Sequence, residues 1–306
     1  MEEATTRRLA LVPRRETADE WALVLASQGL ATRVRNVEGG FALEVPSEQA
    51  ERAAAALAAY EAENPPRPAD AAARAELEAR ESRIGSGHVR IAFAIGAALL
   101  LFFLVTGPRS LRVDWFECGS AESARILVGE LWRTVTALTL HANLAHVLSN
   151  ALAGTLFLSA VFASLGPGLG IALVLLAGAG GNLLNALFQS PFHISVGAST
   201  SVFGAVGILA GLGVVRSRRR GRRGRRAWAP IAAGVALVAM LGTGERSDVW
   251  AHVYGLAVGS ALGLAAGLAG ARPPALRWQL ALGAGALAVV LACWALALEP
   301  DLCRPV

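Results

Sequence analysis

The sequence predicts an all-α polytopic membrane protein that carries a small α+β soluble domain at its N-terminus. Hydrophobic residues make up 54% of the 306-residue chain, which also contains 33 glycines. This composition is typical of membrane helix bundles. Long apolar runs fill the chain from Val89 onward, whereas residues 1–63 mix polar and apolar positions. A helix rises about 1.5 Å per residue, so about 20 apolar residues cross the hydrocarbon core.

Residues 1–63 are predicted to form a small cytosolic α+β domain, which we interpret as a docking or stabilising module without chemistry. Its predicted elements are a helix over Ala18–Gln28, strands over Ala31–Val37 and Phe41–Val45 with a Gly39-Gly40 turn between them, and a helix over Glu48–Ala62. Ser47 is a suitable N-cap for that last helix. Residues 64–87 are Pro-rich and then charged, which predicts a linker or a membrane-proximal helix.

Seven apolar runs follow, and each is predicted to span the membrane. They lie at 89–106, 142–163, 168–189, 196–215, 228–242, 249–269 and 278–298. Most of these runs have the required length, and the fifth is short.

The arginines predict the orientation of the chain. There is no lysine, and eight arginines fall between Arg216 and Arg226. Arginine-rich loops mark the cytoplasmic side, which predicts a multi-pass protein of the cell (inner) membrane with a cytoplasmic N-terminus. The loop 107–131 and the tail 300–306 then face outside. The arginine cluster lies between two apolar runs and has no interleaved aromatic residues, so no nucleic-acid partner is expected.

The three cysteines, Cys118, Cys293 and Cys303, show no metal-ligand spacing. Cys118 and Cys303 can form a disulfide only if both lie on an oxidising side of the membrane, and the predicted topology allows that.

Four polar side chains are predicted to lie at similar depth in three helices that run in the same direction. Ser199 and His252 lie four residues into their apolar runs, His146 lies about five residues into its run, and Asn150 follows one helical turn later. All four should lie within roughly 5–12 Å of the outer interface. Ionisable groups at membrane depth are costly and are read as functional. We therefore expect one cluster.

A serine and a neutral histidine within hydrogen-bond reach form an activated nucleophile. No Asp or Glu occurs between Leu131 and Gly244, so a Ser199–His252 dyad is predicted rather than a triad. Phe203 lies one turn below Ser199 and is expected to stack on the imidazole.

His146 and Asn150 share a helix face and, with the Ser199 backbone N–H, are expected to stabilise a developing oxyanion. A competing interpretation makes His141, His146 and His252 a metal site. The spacing of His141 and His146 is poor for joint ligation, so neither a metal nor a cofactor is expected.

Glycines are expected to bring the two catalytic helices together. Gly255 and Gly259 lie on the stripe of His252, and Gly207 and Gly211 continue below Phe203. Small residues spaced in this way let membrane helices approach backbone to backbone.

Residues 89–270 resemble the rhomboid intramembrane serine proteases. The resemblance rests on Trp132-Arg133, on His141-x4-His146-x3-Asn150, on Gly197-Ala198-Ser199 followed by Phe203-Gly204, and on Ala251-His252-x2-Gly255-Leu256-x2-Gly259. It implies that Ser199 is the nucleophile and His252 the general base, with His146 and Asn150 around the oxyanion. Gly197 belongs to the same motif and is assigned to active-site support. Thr200 replaces the glycine that usually follows the nucleophile.

The resemblance also implies an architecture and a substrate class. Residues 88–270 would form a six-span catalytic core, and residues 271–306 an additional transmembrane helix and tail. The loop 107–131 would dip into the membrane, and the fifth span with loop 242–248 would form a mobile gate. Cleavage is expected at small residues, with helix-weakening residues below the cut. The N-terminal domain is similar to the cytosolic domain of some bacterial members.

The function predicted is therefore that of a serine endopeptidase that cleaves transmembrane segments of membrane proteins near the outer interface. Its expected partners are transmembrane substrates and the lipid bilayer, and the oligomeric state is left open. The alternative is a non-catalytic rhomboid-like protein that binds or chaperones transmembrane helices. Such proteins usually lack one of the two dyad residues. A transporter would need ionisable residues near the midplane, and the sequence has none there.

Overall fold

The structure is a computed structural model, and it describes residues 6–37, 40–64, 68–111, 114–219, 224–241, 248–270, 272–299 and 303. The chain forms two compact units, residues 1–80 and residues 81–306.

The N-terminal unit contains a three-stranded antiparallel sheet with β3 in its centre, in the order β1-β3-β2. Its elements are β1 (Thr6–Val12), α1 (Arg15–Ser27), β2 (Arg33–Val37), β3 (Gly40–Pro46) and α2 (Ala50–Glu63). Leu25 of α1, Leu43 of β3 and Leu57 of α2 lie in its buried core. The apolar positions of two helices and the sheet thus form one small core.

Two features of this unit differ from the sequence prediction. Strand β1 was not predicted. The second predicted helix begins at Ala50, because the chain leaves β3 through a 3-10 turn over Ser47–Gln49. The N-cap is therefore Gln49, and the prediction of Ser47 at that position was wrong. The predicted Gly39-Gly40 turn includes residue 39, which is outside the described residues.

The second unit is almost entirely helical. The long helix α3 (Pro68–Thr106) includes much of the predicted linker 64–87 and continues into the first apolar run. The elements that follow are α4 (Asp114–Gly119), β4 (Ala121–Glu122), α5 (Ser123–Leu127), α6 (Arg133–Thr136), α7 (Leu144–Leu165), α8 (Pro167–Phe188), β5 (Ile194–Ser195), α9 (Ser199–Arg219), α10 (Arg225–Leu241), α11 (Val249–Leu268) and α12 (Leu276–Ala297).

Six of the described helices are long and apolar enough to cross a membrane. These helical segments are Gly85–Thr106, Leu144–Leu165, Pro167–Phe188, Ser199–Arg219, Val249–Leu268 and Leu276–Ala297. The predicted class, a helical membrane bundle with a small α+β unit at the N-terminus, is confirmed. The fifth predicted run, 228–242, corresponds to α10, which has 17 residues. Its length of about 25 Å is shorter than the hydrocarbon core.

Helix α9 lies at the centre of the bundle and is the most deeply buried of the six. It packs against α7, α8, α10 and α11. Ile208 of α9 is fully buried against Phe162 of α7 and Ala177 of α8. The middle of α9 is therefore packed against several helices.

The segment between α3 and α7 is fastened to the bundle at several points. Arg133 is 1% exposed and donates hydrogen bonds to the carbonyls of Glu117 and Ser120, at 2.8 and 3.1 Å. Strand β4 pairs with β5, which lies just before α9. Cys118 of α4 forms a disulfide with Cys303, with the two Cα atoms 5.1 Å apart. The segment between α3 and α7 is thus attached both to the strand that precedes Ser199 and to Cys303 near the C-terminal end of the unit.

Candidate active site

Ser199 is the first residue of helix α9. The apolar run was predicted to be helical from residue 196, but Val196–Ala198 are not helical because Gly197 has a φ of +125°. The Gly197 N–H donates to the Ala137 carbonyl at 2.9 Å. A glycine tolerates such a backbone conformation, which side-chain-bearing residues avoid. The turn at Gly197 therefore sets the direction in which Ser199 leaves the helix end.

His252 is the fourth residue of α11 and is 5% exposed. The N-cap of this helix is Asp248, whose side chain accepts a hydrogen bond from the Ala251 N–H at 3.1 Å. Capping fixes the first turn of a helix, since it satisfies a backbone donor that has no partner within the helix. The imidazole therefore projects from a well-anchored helix start.

The structure brings Ser199 and His252 together, with Nε2 of the imidazole 2.9 Å from the serine Oγ. The ring of Phe203 lies over the imidazole, with the ring centroids 4.6 Å apart and the planes tilted by 36°. At this separation, an unprotonated Nε2 can accept the proton of the hydroxyl.

Glycines on both helices permit this approach. A Cβ on Gly207 would overlap the Leu256 carbonyl, and one on Gly211 would overlap the Ser260 carbonyl. From the other side, a Cβ on Gly255 would overlap the Thr200 carbonyl, and one on Gly259 the Gly204 carbonyl. Even one methyl group at any of these positions would force the two backbones apart.

His146 and Asn150 lie on α7 beside the Gly197 turn. A Cβ at position 197 would stand 2.5 Å from Cε1 and 2.7 Å from Nε2 of His146, and 3.5 Å from Nδ2 of Asn150. Asn150 is 6% exposed, and its Nδ2 has no hydrogen-bond partner among the described residues. A buried amide donor without a partner is costly, and here it lies next to the backbone that presents Ser199.

His141 lies under the same backbone and is not exposed. Its Nδ1 lies 3.2 Å from the Thr139 carbonyl, and its Nε2 lies 3.4 Å from the Ala198 nitrogen, whose N–H points to it. These contacts assign the proton to Nδ1 and the accepting role to Nε2. Burial, with His146 nearby, lowers the pKa of His141 to about 4. The sequence suggested no such supporting role, because the contact joins residues that are 57 positions apart.

A family model, the rhomboid domain, matches residues 128–268. The chain is 28% identical over 173 residues to the rhomboid homologue YdcA of Bacillus subtilis. The chain contains a rhomboid domain over residues 128–268. The family predicted from the motifs is thereby confirmed.

The match to YdcA covers 56% of this chain and 84% of YdcA. The rhomboid protease GluP of Bacillus subtilis is 34% identical over 117 residues, which cover 38% of this chain and 23% of GluP. RHOMBOID-like protein 1 of Arabidopsis thaliana is 36% identical over 107 residues, or 34% of this chain and 26% of that protein. For the latter two relatives, this chain spans only about a quarter of their length. The rhomboid domain match includes Ser199 and His252, while α12 lies beyond it.

Thr200 departs from the rhomboid pattern, and the structure shows where its side chain lies. It is 2% exposed, and its Cγ2 contacts the positions where Gly181 of α8 and Gly255 of α11 lack side chains. The additional atoms of threonine are thus accommodated between helices.

A polar network at the start of α11 was not predicted from the sequence. Oδ2 of Asp248 lies 2.7 Å from Nε2 of His193 and accepts a hydrogen bond from Nδ2 of Asn185 at 2.8 Å. Burial raises the pKa of Asp248, but hydrogen bonds from His193, the Ala251 N–H and Ser195 outweigh this effect and hold the pKa below its ordinary value. The only signal in the sequence was the position of Asp248 just before an apolar run. The predicted gate loop 242–248 falls, apart from Asp248, outside the described residues.

Proposed function

We propose that this rhomboid-family protein is an intramembrane serine endopeptidase in which Ser199 and His252 form a catalytic dyad. The observation that carries the proposal is the 2.9 Å separation between the serine Oγ and the imidazole Nε2. Each residue comes from the first turn of its own membrane-spanning helix.

The reaction follows from the positions of these groups. Oγ of Ser199 attacks the carbonyl carbon of the scissile peptide bond while its proton passes to Nε2 of His252. The tetrahedral intermediate collapses, the C–N bond breaks, and the imidazolium gives the proton to the departing amine. Water then attacks the acyl-enzyme ester with the same histidine as base, which frees the new carboxyl group and regenerates Ser199. Protons and bonds balance without a cofactor.

Three donors surround the position of the developing oxyanion in this proposal. The unpartnered Nδ2 of Asn150 supports its role, and His146 and the backbone N–H of Ser199 complete the set. Donors that are fixed before the reaction lower the barrier without reorganisation. The Gly197 turn keeps the space beside these donors free of a side chain.

The position of the site supports transmembrane segments as substrates. An intact helix hides its scissile carbonyl in hydrogen bonds, so a substrate helix must unwind locally before attack. Since α7, α9 and α11 all place their site residues in their first two turns, cleavage is proposed near one membrane interface. The proposed preference for small residues at the cut is the one that the resemblance to the rhomboid proteases implies.

We further propose that the protein lies in the cell (inner) membrane with its N-terminus and the α9–α10 connection in the cytoplasm. Arg216, Arg218 and Arg219 end α9 on the side opposite Ser199. Arg219 also donates a hydrogen bond to the Gly267 carbonyl at the end of α11, at 3.0 Å. The cleavage site then lies near the outer interface.

The experiment is a cleavage assay in proteoliposomes with a fluorogenic transmembrane substrate. Ser199→Ala should abolish cleavage with the protein still folded. Ser201→Ala is the matched control, since this hydroxyl lies two residues on and faces Gly178 of α8. Cleavage that survives Ser199→Ala would refute the assignment, and a wild-type protein that binds the substrate without cleaving it would favour the non-catalytic alternative.

A further inference from the structure

Helix α12 lies outside the region that matches the rhomboid domain, yet one of its side chains reaches the site. Trp294, in the last turn of α12, is 8% exposed. Its ring packs edge-on against the rings of Phe102 and Trp115, at 5.3 Å between centroids in both cases. A Cβ on Gly119 would stand 2.5 Å from Cη2 of Trp294. The indole is therefore confined on several sides.

The indole N–H of Trp294 donates a hydrogen bond to Oγ1 of Thr139 at 3.0 Å. The hydroxyl of Thr139 in turn donates to the Thr136 carbonyl at 2.7 Å. Both the accepting and the donating capacity of this hydroxyl are thus in use, which fixes the threonine side chain.

The backbone of Thr139 is connected to the nucleophile through two hydrogen bonds of His141. Its carbonyl accepts the Nδ1–H of His141, and Nε2 of His141 accepts the N–H of Ala198. Ala198 immediately precedes Ser199. A chain of hydrogen bonds therefore links helix α12 to the peptide that presents the serine.

Two further contacts anchor the outer end of α12. The disulfide between Cys118 and Cys303 attaches the segment after the helix to α4. Trp294 and Ala297 also belong to a buried apolar cluster with Phe116 and Leu140. Leu140 lies between Thr139 and His141, so the same cluster supports the chain of hydrogen bonds.

We propose that Trp294 is a positioning residue, through which helix α12 holds Thr139, His141 and the Ala198–Ser199 backbone in the geometry of attack. This inference rests on the proposed function of Ser199 as nucleophile. Loss of the indole N–H frees Thr139 and loosens the His141 contact to Ala198. Because Trp294 acts on Ser199 only through Thr139, His141 and the Ala198 backbone, its loss should lower the maximal rate rather than weaken substrate binding.

The test compares Trp294→Phe, which keeps an aromatic ring and removes the donor, with Trp278→Phe, an exposed tryptophan of the same helix. We expect Trp294→Phe to lower kcat about tenfold with KM unchanged. This loss is smaller than the roughly hundredfold loss of rate that a misplacement of about 1 Å can cause. Thr139→Val should have the same effect, Thr139→Ser should restore kcat, and the double variant should lose no more than either single variant. Trp278→Phe should resemble the wild type.

Wild-type kcat in both Trp294→Phe and Thr139→Val would overturn the inference, as would an effect on KM alone or losses that add in the double variant. If Trp294→Phe fails to fold, the kinetics of Thr139→Val decide.

Amide hydrogen exchange of the peptide that includes Ala198 and Ser199 gives a readout independent of catalysis. Faster exchange in Trp294→Phe is expected, and equal exchange would contradict the inference. A wild-type protein without Ser199-dependent cleavage would instead refute the proposed function, and the exchange result would still stand.

Discussion

The backbone carbonyl of Gly204 in α9 occupies the space that a side chain on Gly259 in α11 would need. This contact lies close to the dyad along both helices, so it controls how near Ser199 and His252 can come. A Gly259→Ala substitution should push the helices apart, lower kcat at least tenfold and cost about 1–3 kcal/mol of stability, as overpacking does.

The measurement for this variant is kcat together with the thermal midpoint in detergent. Gly285→Ala on α12 is the matched control, because a Cβ there meets no atom within 4 Å. A Gly259→Ala protein with wild-type kcat would show that the close approach is not needed for the dyad.

Asn150→Ala should remove a donor to the oxyanion. We expect kcat to fall by roughly 10²- to 10³-fold with little change in KM, because the bond forms only in the transition state. Steady-state kinetics on the transmembrane substrate measure both constants. Ser159→Ala, at a half-buried position further along the same helix, should behave as the wild type. A variant Asn150→Ala with unchanged kcat would remove this residue from the mechanism.

The buried His141 predicts a pH dependence of stability. Its folded-state pKa of about 4 lies below the ordinary value of 6.5, so the unfolded chain takes up the proton first as the pH falls. This contribution is fully present above pH 6.5 and is lost between about 6.5 and about 4, with a slope of up to about 1.4 kcal/mol per pH unit.

Unfolding in detergent at several pH values, for the wild type and for His141→Gln, measures this slope. Asp248 does not interfere, since its pKa is held below its ordinary value of 3.8 and its contribution is lost only at lower pH. Identical slopes in the two proteins would show that His141 does not remain neutral in the fold.

The disulfide predicts a count of reactive thiols. Of the three cysteines, only Cys293 is free in the structure. A bulky maleimide applied to denatured, unreduced protein purified from an oxidising compartment should therefore add one label, and three after reduction. A Cys293→Ser variant should give no label before reduction and two after it. Three labels without reduction would place Cys118 and Cys303 on a reducing side and contradict the topology.

Much of the fold and the proximity of the dyad could be predicted from sequence, because polar residues stood out within apolar runs. Their similar depth in three co-directional runs predicted that Ser199, His252, His146 and Asn150 lie together, although the predicted start of α9 is three residues too early. Apolar content marks where a chain enters the membrane, whereas a positive φ at Gly197 marks where the helix can begin.

Other features could not be predicted because their partners are distant in sequence. Strand β1 contains two arginines and pairs with β3 across 29 to 40 positions, so its own pattern is weak. Trp294 and Thr139 are separated by 155 residues, and His193 and Asp248 by 55. No local sequence pattern indicates either hydrogen bond, because these pairs come together only when the helices pack.

Covalent labelling with a serine-directed fluorophosphonate tests most directly whether His252 activates Ser199 as a nucleophile. Mass spectrometry of the wild-type protein should locate a single adduct on Ser199, formed much more slowly in His252→Ala and absent in Ser199→Ala. An adduct on another serine, or labelling of Ser199 at the same rate without His252, would contradict the account.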